Sequence, residues 1–163
     1  MLPAEIMYLW ETYSFGEYGD GFIKGVDPRD YMGSLYTWLG KQDFSMIPLF
    51  VSAFGNIFYN RKMDEEENDI SKLDIHYRRI EVCAYSYQEF FNNYILDENI
   101  KEQILRRTLF SQAVNKHGSL SVNECFYFVP ALVTGGAENI KYIQEGDANV
   151  HQHVLFELGN SGG

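Results

Sequence analysis

Two cysteines, four prolines and thirteen basic residues are a sparse supply for 163 positions, and each scarcity excludes something. Cys83 and Cys125 stand far apart with no CxxC neighbour, which argues against a redox pair or half of a zinc site. Both lie in apolar segments, so two reduced, buried thiols are expected. No apolar run approaches the 18 or so residues of a membrane-crossing helix. The first residues, MLPAEIMYLWETY, carry no basic stretch ahead of an apolar one, so the expectation is a soluble, cytoplasmic chain. No stretch rich in Pro, Gly or Ser divides the sequence. One domain over residues 1–163 is expected, with a soft boundary near Ser86 between sub-lobes 1–85 and 86–163.

Basic residues are outnumbered by twenty-three acids, for a net charge of -10. Such a surface repels the phosphate backbone that dominates nucleic-acid affinity, so direct binding of DNA or RNA is disfavoured. The deficit is uneven: residues 1–70 hold twelve acids and five bases, and the remainder eleven and eight. A basic protein partner would be steered towards the amino-terminal part.

What the chain has in quantity is aromatic rings: twelve Tyr, twelve Phe and two Trp. Large rings must therefore fill much of the core. Pro3, Ile6, Leu9, Trp10 and Tyr13 have the spacing of an amphipathic first helix ending towards Gly16. After a short strand in FIKGV, Asp27 caps a second helix with Pro28 in its first position. Tyr31, Leu35, Trp38 and Leu39 form its stripe and Gly40 its end.

IPLFVSAF and IFYNR read as a hairpin joined by Gly55-Asn56. The charged run Asp64, Glu65, Glu66, Glu67, Asn68, Asp69 reads as a solvated loop. Two alternating strands follow, with Ile75, Tyr77, Ile80, Val82 and Ala84 facing inward and Arg78 and Arg79 near their turn. Ser86 and Glu89 form a capping box that opens a helix through Phe90, Phe91, Tyr94 and Ile95. Asp97 caps a longer one, striped by Ile100, Ile104, Leu105 and Leu109 and ended by Gly118. ECFYFVPALVTGG reads as a bulged strand closing on a glycine turn, and NIKYIQ as a further strand. Asp147 starts a last helix with Val150, Val154, Leu155 and Leu158 inward. The fold class is α+β: a curved, mainly antiparallel sheet with hairpins, flanked by helices at both ends.

Few of these segments suit chemistry. Thr134-Gly135-Gly136 satisfies neither GxxxxGK[ST] nor GxGxxG, has no lysine within it, and follows Pro130, which cannot donate to a sheet ladder. His151 and His153 would share a face only on a strand, whereas the surrounding stripe is helical. His76 and His117 have no recognisable ligand set beside them, so no metal and no cofactor is assigned. No GxSxG elbow or active-site cysteine setting is present, although composition alone leaves a triad or a carboxylate pair open. A small hydrolase, or a ligand-binding or regulatory domain, with a pocket between the sub-lobes is the rival to a binding protein. The acidic run, with Asp64, Glu65, Glu66, Glu67 and Asp69, is the candidate partner-binding surface. It could complement a basic protein such as a nuclease by charge and shape alone.

The segment LPAEIMYLWETYSFGEYGDGFIKGVDPRDYMGSLYTWLG resembles the GAD-like domain, and IPLFVSAFGNIFYNR resembles that family's next hairpin. ECFYFVPALVTGGAENIKYIQEGDANVHQHVLFELG is similar to the carboxy-terminal domain of type VI secretion immunity proteins. The resemblance implies a non-enzymatic, cytoplasmic immunity protein that binds a cognate toxin, with DNase effectors the best-known partners. It carries over no catalytic residues. The matching positions, among them Gly16, Gly21, Asp27, Pro28, Tyr31, Trp38, Gly40, Gly55, Pro130, Gly135 and Gly136, are types that set turns, caps and core.

Overall fold

The computed structural model describes residues 17–18 and 21–161. The expected first helix, with Ile6, Leu9, Trp10 and Tyr13, and its end at Gly16 lie outside the described residues. The rest is α+β. Six antiparallel strands follow one another across a single sheet in chain order: β1 (Glu17–Tyr18), β2 (Ile23–Gly25), β3 (Ile47–Ser52), β4 (Ile57–Lys62), β5 (Asn68–Asp74) and β6 (Arg79–Ala84). The pairing β3–β4 shifts register between Pro48 and Phe50, and β5–β6 between Ile70 and Ser71. Such shifts bend and twist the strands that carry them. A second, two-stranded sheet pairs β7 (Glu124–Phe128) with β8 (Ile143–Asp147).

Helix α1 (Pro28–Leu39) sits between β2 and β3 and has the ends its sequence dictates. The Asp27 carboxylate accepts from the Arg29 amide at 3.0 Å, Pro28 needs no partner for an absent N–H, and Gly40 closes the helix at φ 73°. The β3–β4 hairpin turns where expected, with Gly55 at φ 84° and its amide bonded to the Ser52 carbonyl at 2.9 Å. The Asn56 side chain accepts from the Ile75 amide at 2.9 Å, which ties this hairpin to the β5–β6 turn.

Strand β3 and the first four residues of β4 are buried on both faces, which is why IPLFVSAF is apolar at every position but Ser52. On one face Val51, Ile57, Tyr59 and Leu73 meet Tyr31 and Leu35 of α1 and Leu155 of the last helix. On the other, Phe50, Phe58 and Ile70 pack against Phe90 and Leu105. A third cluster joins Phe54 to Phe110, Phe126 and Phe128, with the Phe54 and Phe128 rings stacked at 5.6 Å. All three clusters draw residues from both sides of Ser86.

Several sequence expectations are corrected. Ile80 and Val82 are 50% and 41% exposed and Tyr77 is exposed too; β6 is the last strand of its sheet, and its far end, at Cys83 and Ala84, is the part that packs with Phe90. The helix striped by Ile100 and Leu109 is two segments. A π-helical stretch, Ile100–Ile104, ends at Arg106, whose φ of 61° breaks the path before α2 (Arg107–His117). The helix opened by Ser86 likewise passes into a π-helical turn over Phe90–Tyr94. NIKYIQ contributes a 3₁₀ turn, Ile140–Tyr142, before β8 begins at Ile143. Strand β7 stops at Phe128, without the expected bulge.

The last helix, α3 (Ala148–Ser161), starts as expected with the Asp147 carboxylate accepting from the Val150 amide at 2.9 Å. Its inward face differs from expectation. Ala148, Gln152 and Leu155 are buried, whereas Val150, Val154 and Leu158 are exposed. The rotation is set by hydrogen bonds: the Gln152 amide donates to the Gly55 carbonyl at 3.0 Å, and Trp38 Nε1 donates to the Gln152 carbonyl at 2.9 Å. A buried amide with a backbone partner is tolerated where an unpaired one is not.

Candidate functional site

The loop between β4 and β5 carries the acidic run. The Asp64 carboxylate accepts from the amides of Glu66 and Glu67, both at 2.8 Å, and the Met63 amide donates to the Glu67 carbonyl at 2.8 Å. Such side-chain-to-backbone bonds hold a short loop in one shape. Asp64 is spent on that task, while Glu65, Glu66 and Glu67 stay exposed.

Asp69 behaves differently. It lies inside β5 with its carboxylate fully buried, opposite Arg61 on β4. Arg61 Nη2 and Nε donate to Asp69 Oδ2 at 2.6 and 3.2 Å, and the Ser71 hydroxyl donates to Oδ1 at 3.0 Å. The paired carboxylate raises the Arg61 pKa. The expectation that Asn68 and Asp69 belong to a solvated loop is therefore corrected: they open a strand, and Arg61 makes burial of Asp69 tolerable.

A groove of about 570 Å³ opens between this loop and the segment leaving β6. Glu66, Glu67 and Met63 form one wall and Tyr85 and Tyr87 the other, with Asn60 and Ile70 among the residues lining it between them. Tyr85 is 70% exposed. Its backbone is anchored, since its amide donates to Glu89 Oε2 at 3.0 Å while Ser86 Oγ accepts from the Glu89 amide at 3.0 Å. The Ser86 half of the expected capping box is made, while Glu89 reaches back one residue further than expected, to the Tyr85 amide and not to that of Ser86. Tyr87 is fixed through its hydroxyl, which donates to Asn60 Oδ1 at 2.6 Å. No lysine or arginine lines the groove, and the carboxylates of Glu66 and Glu67 give it a negative wall.

Of the five acids singled out in the sequence, Glu66, Glu67 and Asp69 line the groove; Asp64 shapes the loop and Glu65 is exposed on it. Tyr85, Tyr87, Met63 and Asn60 were not anticipated. The available cue was two tyrosines bracketing the Ser86 cap, next in sequence to an edge strand.

Residues 84–159 match the family model described as T6SS immunity protein Tdi1, C-terminal. That match supports a type VI secretion immunity role. It begins at Ala84, so the groove combines residues ahead of the matched region with its first few positions. The structure is also similar to the crystal structure of Atu4351 from Agrobacterium tumefaciens, at a TM-score of 0.69 and 14% identity, covering 96% of this chain and 76% of the other. At that identity the likeness is one of fold. No curated protein matches.

The remaining histidines and the two cysteines are structural in their surroundings. His76 is buried, its Nε2 set against the Phe54 carbonyl at 2.6 Å, and burial lowers its pKa to about 4. The hydrogen bond requires that Nε2 carry the proton. His151 is partly buried on α3 and also lowered to about 4 by burial, while His153 on the same helix is exposed. Burial raises the thiols of Cys83 and Cys125 to about 11 and 12. Cys125 is buried and Cys83 partly so; both are free. Among the described residues, no group of three or more His, Cys, Asp or Glu is placed to hold a metal ion, and no helix is long and apolar enough to cross a membrane.

The FVPALVTGG segment is a turn built on main-chain bonds. Gly135 stands at φ 100°, and the Gly136 amide donates to the Ala131 carbonyl at 2.9 Å. Beyond it Glu138 pairs with the buried Arg106, which also lies over the Phe54 and Phe128 rings, and accepts from the Tyr77 hydroxyl at 2.7 Å. This lock fastens the loop to the third aromatic cluster.

Proposed function

We propose that this chain is a non-enzymatic immunity protein that binds a cognate type VI toxin in the cytoplasm and neutralises it by covering its active site or substrate groove. The match of residues 84–159 to an immunity-protein family carries the reading. A nuclease is the favoured toxin, because a protein of net charge -10 complements the basic groove that such an enzyme needs for its substrate. Glu65, Glu66 and Glu67 supply exposed negative charge, Asp64 holds their loop, and Asp69 contributes by fixing β5 under it. Residues 1–85 form a GAD-like sub-lobe and residues 86–163 an immunity-type sub-lobe of one domain. Binding of this kind needs no cofactor and no membrane.

Co-expression with the product of the adjacent toxin gene tests the proposal. Growth should be restored, and the two proteins should purify as one complex. Absence of both rescue and complex with every neighbouring gene product would overturn it.

A further inference from the structure

We propose that the groove between Met63–Ile70 and Tyr85–Tyr87 takes a short basic segment of the toxin, a lysine or arginine head lying between the Tyr85 ring and the Glu66 and Glu67 carboxylates. The proposal rests on the immunity reading above and adds to it the contact that the groove is built for.

The size of the groove admits a peptide segment, and two further features select a cation. Its volume, about 570 Å³, is that of a ligand pocket and exceeds what one side chain fills, so a short peptide segment fits. Its charged lining residues are carboxylates only, and the Arg61 guanidinium is engaged by Asp69. Its rim presents Tyr85, a large ring left 70% exposed beside those carboxylates. An aromatic face and a carboxylate together suit a guanidinium or ammonium, by cation–π attraction on one side and charge pairing on the other.

The groove is also held in shape before any partner arrives. Asp64 and Met63 close the acidic loop, the Glu89 carboxylate holds the Tyr85 backbone, and Asn60 holds Tyr87. Fixed walls reduce the ordering cost of binding, so more of the contact energy appears as affinity.

The probe is a blocked triarginine peptide, titrated into the full chain and followed by amide NMR shifts, with a blocked triglutamate peptide as control. Triarginine should shift residues 63–70 and 85–87 selectively, and triglutamate should not. Tyr85→Ala should weaken triarginine binding roughly tenfold, the scale of one desolvated cation–π contact, while Tyr85→Phe stays within about twofold. The Glu66→Gln, Glu67→Gln double variant should weaken it as well and reduce its salt dependence. Shifts spread evenly over the acidic surface, or equal binding by Tyr85→Ala, would overturn the proposal. So would a dimer in sedimentation that Tyr85→Ala dissolves, since the groove would then belong to a second copy. With the toxin itself, rescue and complex lifetime unchanged by Tyr85→Ala would reject the groove and leave the immunity reading standing. Loss of rescue by the unaltered chain would reject both.

Discussion

Arg61 and Asp69 stand directly opposite each other on β4 and β5, guanidinium to carboxylate at 2.6 Å, with the Asp69 side chain wholly buried and that of Arg61 31% exposed. One acid of a run that looks uniformly solvated is thus part of the sheet. Removing one partner of such a pair strands the other. Asp69→Ala should cost about 3 kcal/mol of stability, read as a lower urea midpoint at constant slope. A loss below about 0.5 kcal/mol would mean that the pair contributes nothing to the sheet.

The neighbouring acids should behave in the opposite way. Replacing Glu65, Glu66 and Glu67 with Lys should leave stability within about 0.5 kcal/mol, since all three are exposed. Association with the toxin should slow by roughly tenfold at low salt, and its salt dependence should flatten. Stopped-flow association at several ionic strengths measures both. Unchanged kinetics would remove the loop from the interface.

Gly136 should tolerate no side chain. A Cβ there would collide with the Pro130 carbonyl oxygen and crowd the Ala131 carbonyl, both main-chain atoms in a turn that cannot yield cheaply. Gly136→Ala should destabilise by about 2 kcal/mol or more, with a fall in Tm of several degrees. Gly33→Ala, on α1 with open space around it, should be neutral or slightly stabilising. Thermal melts of the two variants side by side make the comparison.

Stability should fall as the medium is acidified from about pH 6.5 to pH 4. Burial depresses His76 and His151 from the ordinary 6.5 to about 4, so the unfolded chain takes up their protons first. The stability that the neutral rings contribute is complete above the unfolded value and is lost as pH drops through this window, by up to about 3 kcal/mol for the wholly buried His76. His76→Gln, which keeps a donor for the Phe54 carbonyl, should reduce the slope of stability against pH between 4 and 6.5. Equal slopes in the two proteins would show that another group is responsible.

The features legible in the sequence share one property: their partners lie within a few residues. Asp27, Pro28 and Gly40 bound α1, Ser86 and Glu89 cap the turn after β6, and Asp147 caps α3, each through bonds spanning four positions or fewer. The hairpin at Gly55 and the glycine turn at Gly135 follow from φ angles that glycine adopts without strain. The groove was only half legible. Its acidic wall is conspicuous as a charge run, whereas its tyrosine wall depends on where β6 delivers the chain.

What the amino-acid sequence determined by itself is therefore the succession of most described elements, the local caps and turns, the antiparallel α+β class and the net acidity. Tertiary structure decided which apolar residues of α3 point inward. Val150 and Leu155 have equal claim on hydrophobicity, and the choice between them came from Gly55 and Trp38, each about a hundred positions from Gln152. The same holds for charge. Lys24 is buried because carbonyls of Ser121, Val122 and Glu124 accept from its ammonium group, and Asp69 because Arg61 donates to its carboxylate. Burial of a polar group is decided by the partner that satisfies it, and that partner is brought near by the fold.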